Sequence, residues 1–260
     1  MVADHVRESN DQFRKAWQFF ARTTPKGEVK ELEGVTIADA KCSWPIMNAA
    51  MLSSPVADTA DLRRRVAAAS AHFHGSGRMW IFAICQGWLP SGAASVFQQA
   101  GLNTELEVTG MATDRVAPPL RPLPKIDVRN VADEETRNAI ADINSISYDV
   151  PLEWGRETVA RESLWQGPVE GYVGYVDSQP VTTSAAFLID NAIYIGLVAT
   201  INQYRRTGFA ETVMRHALEE ARQKYGIERT ILHATAAGLA IYQRMGYEPV
   251  TKFTICVGQG

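Results

Sequence analysis

Arg205, Arg206 and Gly208 stand together in a short polar loop, Asn202-Gln-Tyr-Arg-Arg-Thr-Gly208, between two apolar stretches of different period. Before the loop, Ala192-Ile-Tyr-Ile-Gly-Leu-Val-Ala199 is almost unbroken apolar, the pattern of a strand buried on both faces. After it, Phe209, Val213, Ala217 and Ala221 recur every four residues, with Met214, Leu218 and Tyr225 beside them. That is the stripe of an amphipathic helix. A strand therefore feeds a helix N-terminus through a loop holding two permanent cations. The first turn of a helix leaves backbone N–H groups unpaired and carries partial positive charge, so it attracts anions. Gly208 lets the backbone approach a guest, Ala210 keeps the next turn small, and the guanidinium groups add charge. The chemistry this predicts is the binding of a diphosphate. An ordinary strand-to-helix turn with solvated arginines reads the same over six residues, so the loop needs its context.

The elements around it supply that context. Ahead of the buried strand, Lys125 to Val131 reads as a strand. Asp133 caps a helix reaching about Ser147, and Tyr148-Asp-Val-Pro-Leu-Glu-Trp154 is an aromatic and acidic loop. A second helix is expected over about 155–165, then strands over 170–176 and 179–189 joined by tight turns. After the central helix come a strand at 229–234, a helix at 237–245 and a last strand at 250–257. Ala117-Pro-Pro-Leu-Arg-Pro-Leu-Pro124 has four prolines in eight positions and marks an extended connection. In the first half, helices are expected over 4–20, 58–74 and 91–100, with strands at 35–38, 46–52, 79–85 and 105–110. Phe97-Gln-Gln-Ala-Gly-Leu102 lines up with Tyr242-Gln-Arg-Met-Gly-Tyr247, a faint internal repeat.

Two signatures in the second half carry a resemblance. Leu197 to Ala210 resembles the acetyl-CoA signature of the GCN5-related N-acetyltransferases (GNAT), Gln/Arg-x-x-Gly-x-Gly/Ala, matched by Arg205, Gly208 and Ala210. Downstream, Leu239-Ala-Ile-Tyr-Gln-Arg-Met-Gly-Tyr247 resembles that family's tyrosine-bearing helix, which ends in Gly-aromatic. The likeness runs from about Ile126 to Gly260 and is faint before it. It implies an α/β (α+β) protein with the mixed sheet of the acyl-CoA N-acyltransferase fold. The expected division is a degenerate GNAT-like copy at 1–116, a proline-rich linker at 117–124 and a catalytic domain at 125–260. At the loop position the first copy has Ser53-Ser-Pro-Val-Ala-Asp58, without arginine or glycine and with an acid that would repel a diphosphate.

What the resemblance implies is transfer of acetyl from acetyl-CoA to a primary amine by direct attack in a ternary complex. The cofactor would lie on Leu197, Val198, Ala199, Arg205, Arg206, Thr207, Gly208, Phe209 and Ala210. Polarisation of the thioester is assigned to a backbone N–H at Leu197-Val198, with Gly196 marking a bulge or close approach. Tyr242 takes the place of the general acid. Tyr148, Asp149, Trp154 and Tyr194 are acceptor-site candidates, each of which also reads as an ordinary surface acid or core aromatic. No general base stands out. The rival reading is a non-catalytic acyl-CoA-binding or partner-binding module of the same fold; an O-acyltransferase is a weaker third.

Composition sets the outer bounds. The 260 residues are 46% apolar and 21% charged with a net charge of −3, which argues against a general nucleic-acid partner. Three cysteines, far apart, read as free thiols of a reducing compartment, and no metal site is expected from His72 and His74. A charged N-terminus and the lack of a long apolar run point to a cytoplasmic chain without a membrane partner. The expected partner is a small-molecule or peptide amine, with homodimer formation left open.

Overall fold

The computed structural model describes residues 2–260. The first half runs α1 (Val2–Thr23), β1 (Glu28–Leu32), β2 (Val35–Asp39), β3 (Asn48–Leu52), α2 (Thr59–Phe73), β4 (Met79–Cys85), α3 (Ala93–Gln99) and β5 (Asn103–Thr113). The second runs β6 (Asp127–Asn130), α4 (Glu134–Ser147), α5 (Leu152–Thr158), α6 (Glu162–Trp165), β7 (Val169–Val176), β8 (Gln179–Ile189) and β9 (Ala192–Thr200). It continues through α7 (Phe209–Tyr225), β10 (Thr230–Ala234), α8 (Leu239–Arg244) and β11 (Glu248–Gln259).

These elements form two compact units. The first runs to Met111 and takes in His233–Leu239 and Pro249–Gly260; the second is Ala112–Leu232 with Ala240–Glu248. In the first, the strand order is β1-β2-β3-β4-β11-β5. The chain's last strand thus lies between β4 and β5, antiparallel to β4 from Phe253↔Cys85 to Gln259↔Met79. Its core gathers Phe13, Ile37, Met51, Leu62, Phe73, Trp80, Phe82 and Phe253. Phe73 stacks on Trp80 with ring centroids 4.6 Å apart.

In the second unit the order is β10-β9-β8-β7-β6, with β9 and β10 parallel and the other pairs antiparallel. The helices α4 and α7 pack on it. Asp133 accepts the Thr136 N–H at 2.8 Å in a capping box that fixes where α4 begins, an arrangement worth about 1 kcal/mol. Gly226, at φ 69, ends α7 in the left-handed region that glycine enters at little cost.

Three local expectations are corrected. The helix expected over 155–165 is two, α5 and α6, because the Trp165 indole N–H donates to the Val159 carbonyl at 2.8 Å and Arg161 turns extended. Strand β1 was hidden by its charged sequence, Glu-Val-Lys-Glu-Leu, which suits an exposed edge paired to β2. The run Arg63-Arg-Arg65, whose charge alone predicts a solvated helix face, contains a buried member, Arg65. The internal repeat does recur in backbone geometry. The Leu102 N–H donates to the Phe97 carbonyl and the Tyr247 N–H to the Tyr242 carbonyl, both at 3.0 Å. The intervening glycines, Gly101 and Gly246, have φ of 70 and 90. All three cysteines are buried, and no disulfide joins them among the described residues.

Candidate functional site

The second unit's strand β9 loses its regular pairing in its last third. Against β8 the register runs from Ile189↔Ala192 to Ala185↔Gly196 and resumes at Thr183↔Ala199. Leu197 and Val198 therefore face the single residue Ser184, which is a β-bulge. Leu197 sits at φ 51, a left-handed conformation that a leucine rarely adopts. The Thr183 hydroxyl, donating to the Leu197 carbonyl at 2.7 Å, and the Thr182 hydroxyl, donating to the Ala199 carbonyl at 3.0 Å, hold it there. Against β10 the pairing runs from Thr230↔Ile193 to Leu232↔Ile195 and goes no further. Past Ile195 the strand thus presents backbone polar groups outside that ladder. Gly196, flagged in the sequence, stands one residue before the bulge.

The loop after β9 is built to leave N–H groups exposed. One 3-10 turn, Asn202–Tyr204, brings the chain round, and the Thr207 hydroxyl donates to the Tyr204 carbonyl at 2.6 Å. Arg206 at φ 65 and Gly208 at φ 95 are both left-handed, and Gly208 caps α7 with no side chain bonded to the helix N–H groups. Successive N–H groups in such a turn form an anion-binding concavity, and Phe209, Ala210 and Glu211 add the unpaired donors of a helix start. Gly208 is required twice. Its φ is strained for any other residue, and a Cβ there would lie 3.1 Å from the Pro124 ring and 3.8 Å from the Arg121 guanidinium. Arg205 is partly committed, its Nε donating to the Thr200 carbonyl at 2.9 Å. The donor set, uncapped and cationic, fits a diphosphate.

Three tyrosines from three elements share an apolar setting nearby in the chain's topology. Tyr194 lies on β9 and Tyr242 on α8, both buried; Tyr148 closes α4. Burial raises the Tyr194 pKa above its ordinary value, helped by the Tyr148 and Tyr242 phenols. The Tyr242 phenol is raised by burial, then by Tyr148 and Tyr247. Tyr148 leaves 49% of its surface exposed, yet its hydroxyl end is enclosed enough that burial raises it too. Mutual influence of this kind places Tyr148, Tyr194 and Tyr242 within electrostatic reach of one another. The other two acceptor-site candidates follow Tyr148 in the chain. Asp149 is exposed in a left-handed turn at φ 54, and Trp154 is half-buried in α5, its carbonyl accepting from the Thr158 hydroxyl at 3.0 Å.

Residues 188–250 match the family model of the acetyltransferase (GNAT) domain. No curated protein matches the chain in sequence. Among solved structures, a GCN5-related N-acetyltransferase from Kribbella flavida aligns at 18% identity over 97% of this chain and 95% of its own, with a TM-score of 0.72. A tandem GNAT protein from the clavulanic acid biosynthesis pathway aligns at 10% identity over 86% and 78%, TM-score 0.55. A GCN5-related N-acetyltransferase from Sphaerobacter thermophilus aligns at 13% identity over 90% and 78%, TM-score 0.58. The fold is that of a tandem GNAT protein.

Within that tandem GNAT fold the first unit offers a direct counterpart to each feature. Its strand β3 pairs with β2 in continuous register from Val35↔Leu52 to Asp39↔Asn48, with no bulge. Its loop ends at Asp58, whose carboxylate accepts the Asp61 N–H at 2.8 Å and so caps α2 from within. Its third helix carries Phe97 where α8 carries Tyr242. What sequence reasoning missed beside the loop of the second unit is Arg121. It reaches the loop from the proline-rich segment, and only the spacing of prolines hinted that this stretch holds a fixed path. Among the described residues, no helix is long and apolar enough to cross a membrane and no group of histidine, cysteine and acidic residues could hold a metal.

Proposed function

We propose that the second unit transfers the acetyl group of acetyl-CoA to a primary amine by direct attack in a ternary complex. The observation that carries this is the pairing, on one strand-loop-helix, of a bulged strand end at Leu197-Val198 with an uncapped, cationic helix start at Gly208. The loop from Arg205 to Ala210 would hold the diphosphate through backbone N–H groups and guanidinium charge. The pantetheine arm would run beside β9 past Ile195, where the β10 ladder has ended. A backbone N–H of the bulge would donate to the thioester oxygen as negative charge develops there.

The acceptor nitrogen attacks the carbonyl carbon, a C–N bond forms and the C–S bond breaks. The acceptor ammonium has first lost one proton to water; the Tyr242 phenol, kept protonated by burial, gives its proton to the departing sulfur, and the phenolate is reprotonated by the second proton leaving the nitrogen. Tyr148 and Tyr194 would line the acceptor side, with Asp149 and Trp154 further out on the same loop. We read 1–116 and 125–260 as two copies of one ancestral domain joined by 117–124. The matching helix ends at Leu102 and Tyr247 support that reading, and so does the tandem GNAT fold.

A thiol-release assay on an amine panel tests the proposal. Tyr242→Phe should lower kcat by about 100-fold while the KM for acetyl-CoA stays within about threefold; an unchanged kcat would sink the acid role. The second reading, an acyl-CoA-binding module without turnover, draws on one observation. Burial, more than its neighbours Tyr148 and Tyr247, raises the Tyr242 phenol, which makes it a weaker acid toward a departing thiolate. Tight acetyl-CoA binding with no thiol released for any amine would favour it.

A further inference from the structure

We propose that Arg121 is a diphosphate ligand, supplied to the loop from outside the loop by the proline-rich segment. The inference rests on the reading of that loop as the acetyl-CoA diphosphate site. Three independent features of the second unit carry it.

The first is position. The Arg121 Nη2 lies 3.8 Å from where a Gly208 Cβ would stand, so the guanidinium sits over the residue that begins α7.

The second is how the segment is held. At one end the Ala117 N–H donates to the Met245 carbonyl at 2.9 Å, and the Ala117 carbonyl accepts from Arg215 Nη1 at 2.7 Å. Gly246 leaves just enough room for this contact, since a Cβ on it would lie 3.2 Å from the Ala117 Cβ. At the other end the Pro124 ring packs against Gly208, and the Thr212 hydroxyl approaches the Pro124 carbonyl at 3.5 Å. Between these anchors Pro118, Pro119 and Pro122 fix three φ angles. The span is pinned at both ends and stiff between them, so little backbone entropy is lost when Arg121 engages a ligand.

The third is an uncommitted charge. In the same unit Arg129, Arg156, Arg215, Arg222 and Arg229 are each ion-paired to a carboxylate. Among the described residues Arg121 has no such partner, as is also true of Arg205 and Arg206 in the loop itself, and it is exposed. A planar guanidinium with its donors free, beside an uncapped helix start, matches the bidentate geometry of a phosphate. Leu120 and Leu123, which flank it, cannot serve that purpose. The bland alternative is that Arg121 only covers the loop, and it makes a different prediction.

The test is calorimetric binding of acetyl-CoA, its 3′-dephospho form and inorganic pyrophosphate to the wild type, Arg121→Gln and Arg121→Lys. If Arg121 contacts the diphosphate, Arg121→Gln weakens all three ligands by about tenfold and Arg121→Lys recovers part of the loss. The difference should shrink as ionic strength rises from about 0.05 to 0.5 M. Because Arg121 is exposed, thermal midpoints should match the wild type, which separates lost contact from lost structure. Equal affinities in wild type and Arg121→Gln would overturn the proposal. A loss confined to acetyl-CoA and absent for the dephospho form would also overturn it, since the contact would then be to the 3′-phosphate. A wild type that binds pyrophosphate through Arg121 but not acetyl-CoA leaves the ligand assignment standing and removes the proposed function. Binding of neither ligand removes both.

Discussion

Two strand-to-helix turns hold the same place in the two units and handle charge in opposite ways. In the second unit β9 runs through Arg205, Arg206 and Gly208 into α7, and the helix start has no side-chain cap. In the first unit β3 runs through Ser53 to Asp58 into α2, and the helix start is capped from within. Asp58 caps the Asp61 N–H, and Asp61 in turn accepts the Ala57 N–H at 3.0 Å. Arg65 closes the ring, bonding both Asp61 oxygens at 3.0 and 2.7 Å and the Ser54 and Pro55 carbonyls at 2.7 and 3.0 Å. Its guanidinium holds the Asp61 carboxyl below the usual carboxylate range. One turn caps its helix with its own carboxylate, and the other leaves its helix start without a side-chain cap. The same contrast runs through the neighbouring features: bulge against continuous register, and Tyr242 against Phe97. What separates the two turns is what the backbone leaves unsatisfied more than whether an arginine is at hand, since Arg65 of α2 is bonded into the first turn as Arg205 is into the second.

The largest effect should come from closing the open turn. Gly208→Glu puts a strained φ, a clash with Pro124 and a carboxylate where the diphosphate would lie, so acetyl-CoA affinity should fall by at least about 100-fold. Ala57→Glu, the same charge placed in the first unit's turn, should leave affinity within about twofold. Comparable losses from both would erase the distinction drawn between the turns.

A smaller effect is expected at the bulge. Thr183→Val removes the hydroxyl that holds the Leu197 carbonyl and also the acceptor of the Asn144 amide at 3.1 Å. Stability should fall by about 1–3 kcal/mol and kcat by about tenfold, with acetyl-CoA affinity little changed. Ile37→Val in the regular strand β2 should cost about 1 kcal/mol and leave kcat alone. If Thr183→Val loses stability but keeps full kcat, the bulge is architecture and not part of the chemistry.

The smallest effect is a difference in pH response. The second unit buries Tyr194, Tyr242 and Tyr247, whose pKa values are all raised, first by burial. The unfolded chain loses those protons first, so their contribution is intact below pH 10 and is lost as pH rises beyond it. The first unit buries His233, stacked on Phe13 at 4.1 Å and pushed down to about 3 by burial against the pull of Ser9. Its contribution is present above pH 6.5 and is lost as pH falls toward 3. Unfolding followed by hydrogen exchange should therefore show acid loss beginning in the first unit and alkaline loss in the second.

Much of this was legible in the sequence, for a physical reason. The switch from an unbroken apolar run to a four-residue period marks β9 and α7 because burial dictates both patterns locally. Asp133 announces α4 and the prolines announce the segment at 117–124 by the same local logic. The bulge was visible only as Gly196, because Leu197 violates its own backbone preference and is held in place by Thr183, a partner on another strand. The burial of Arg65 depends on Asp61 together with carbonyls from 54–55, which no charge run reveals. Nor can β11 state in its own sequence that it pairs with β4. Arg121 is near Gly208 in space and far from it in the chain. Local pattern located the elements, and the contacts that make a site are long-range.

The measurement that tests the central claim most directly is the stoichiometry of acetyl-CoA binding to the whole chain by calorimetry. The account predicts one molecule per chain, bound at micromolar strength through the turn at Gly208. Two per chain would contradict it, because the first unit's turn would then be open as well. No binding would contradict it more deeply, leaving the tandem fold in place and its proposed chemistry without a cofactor.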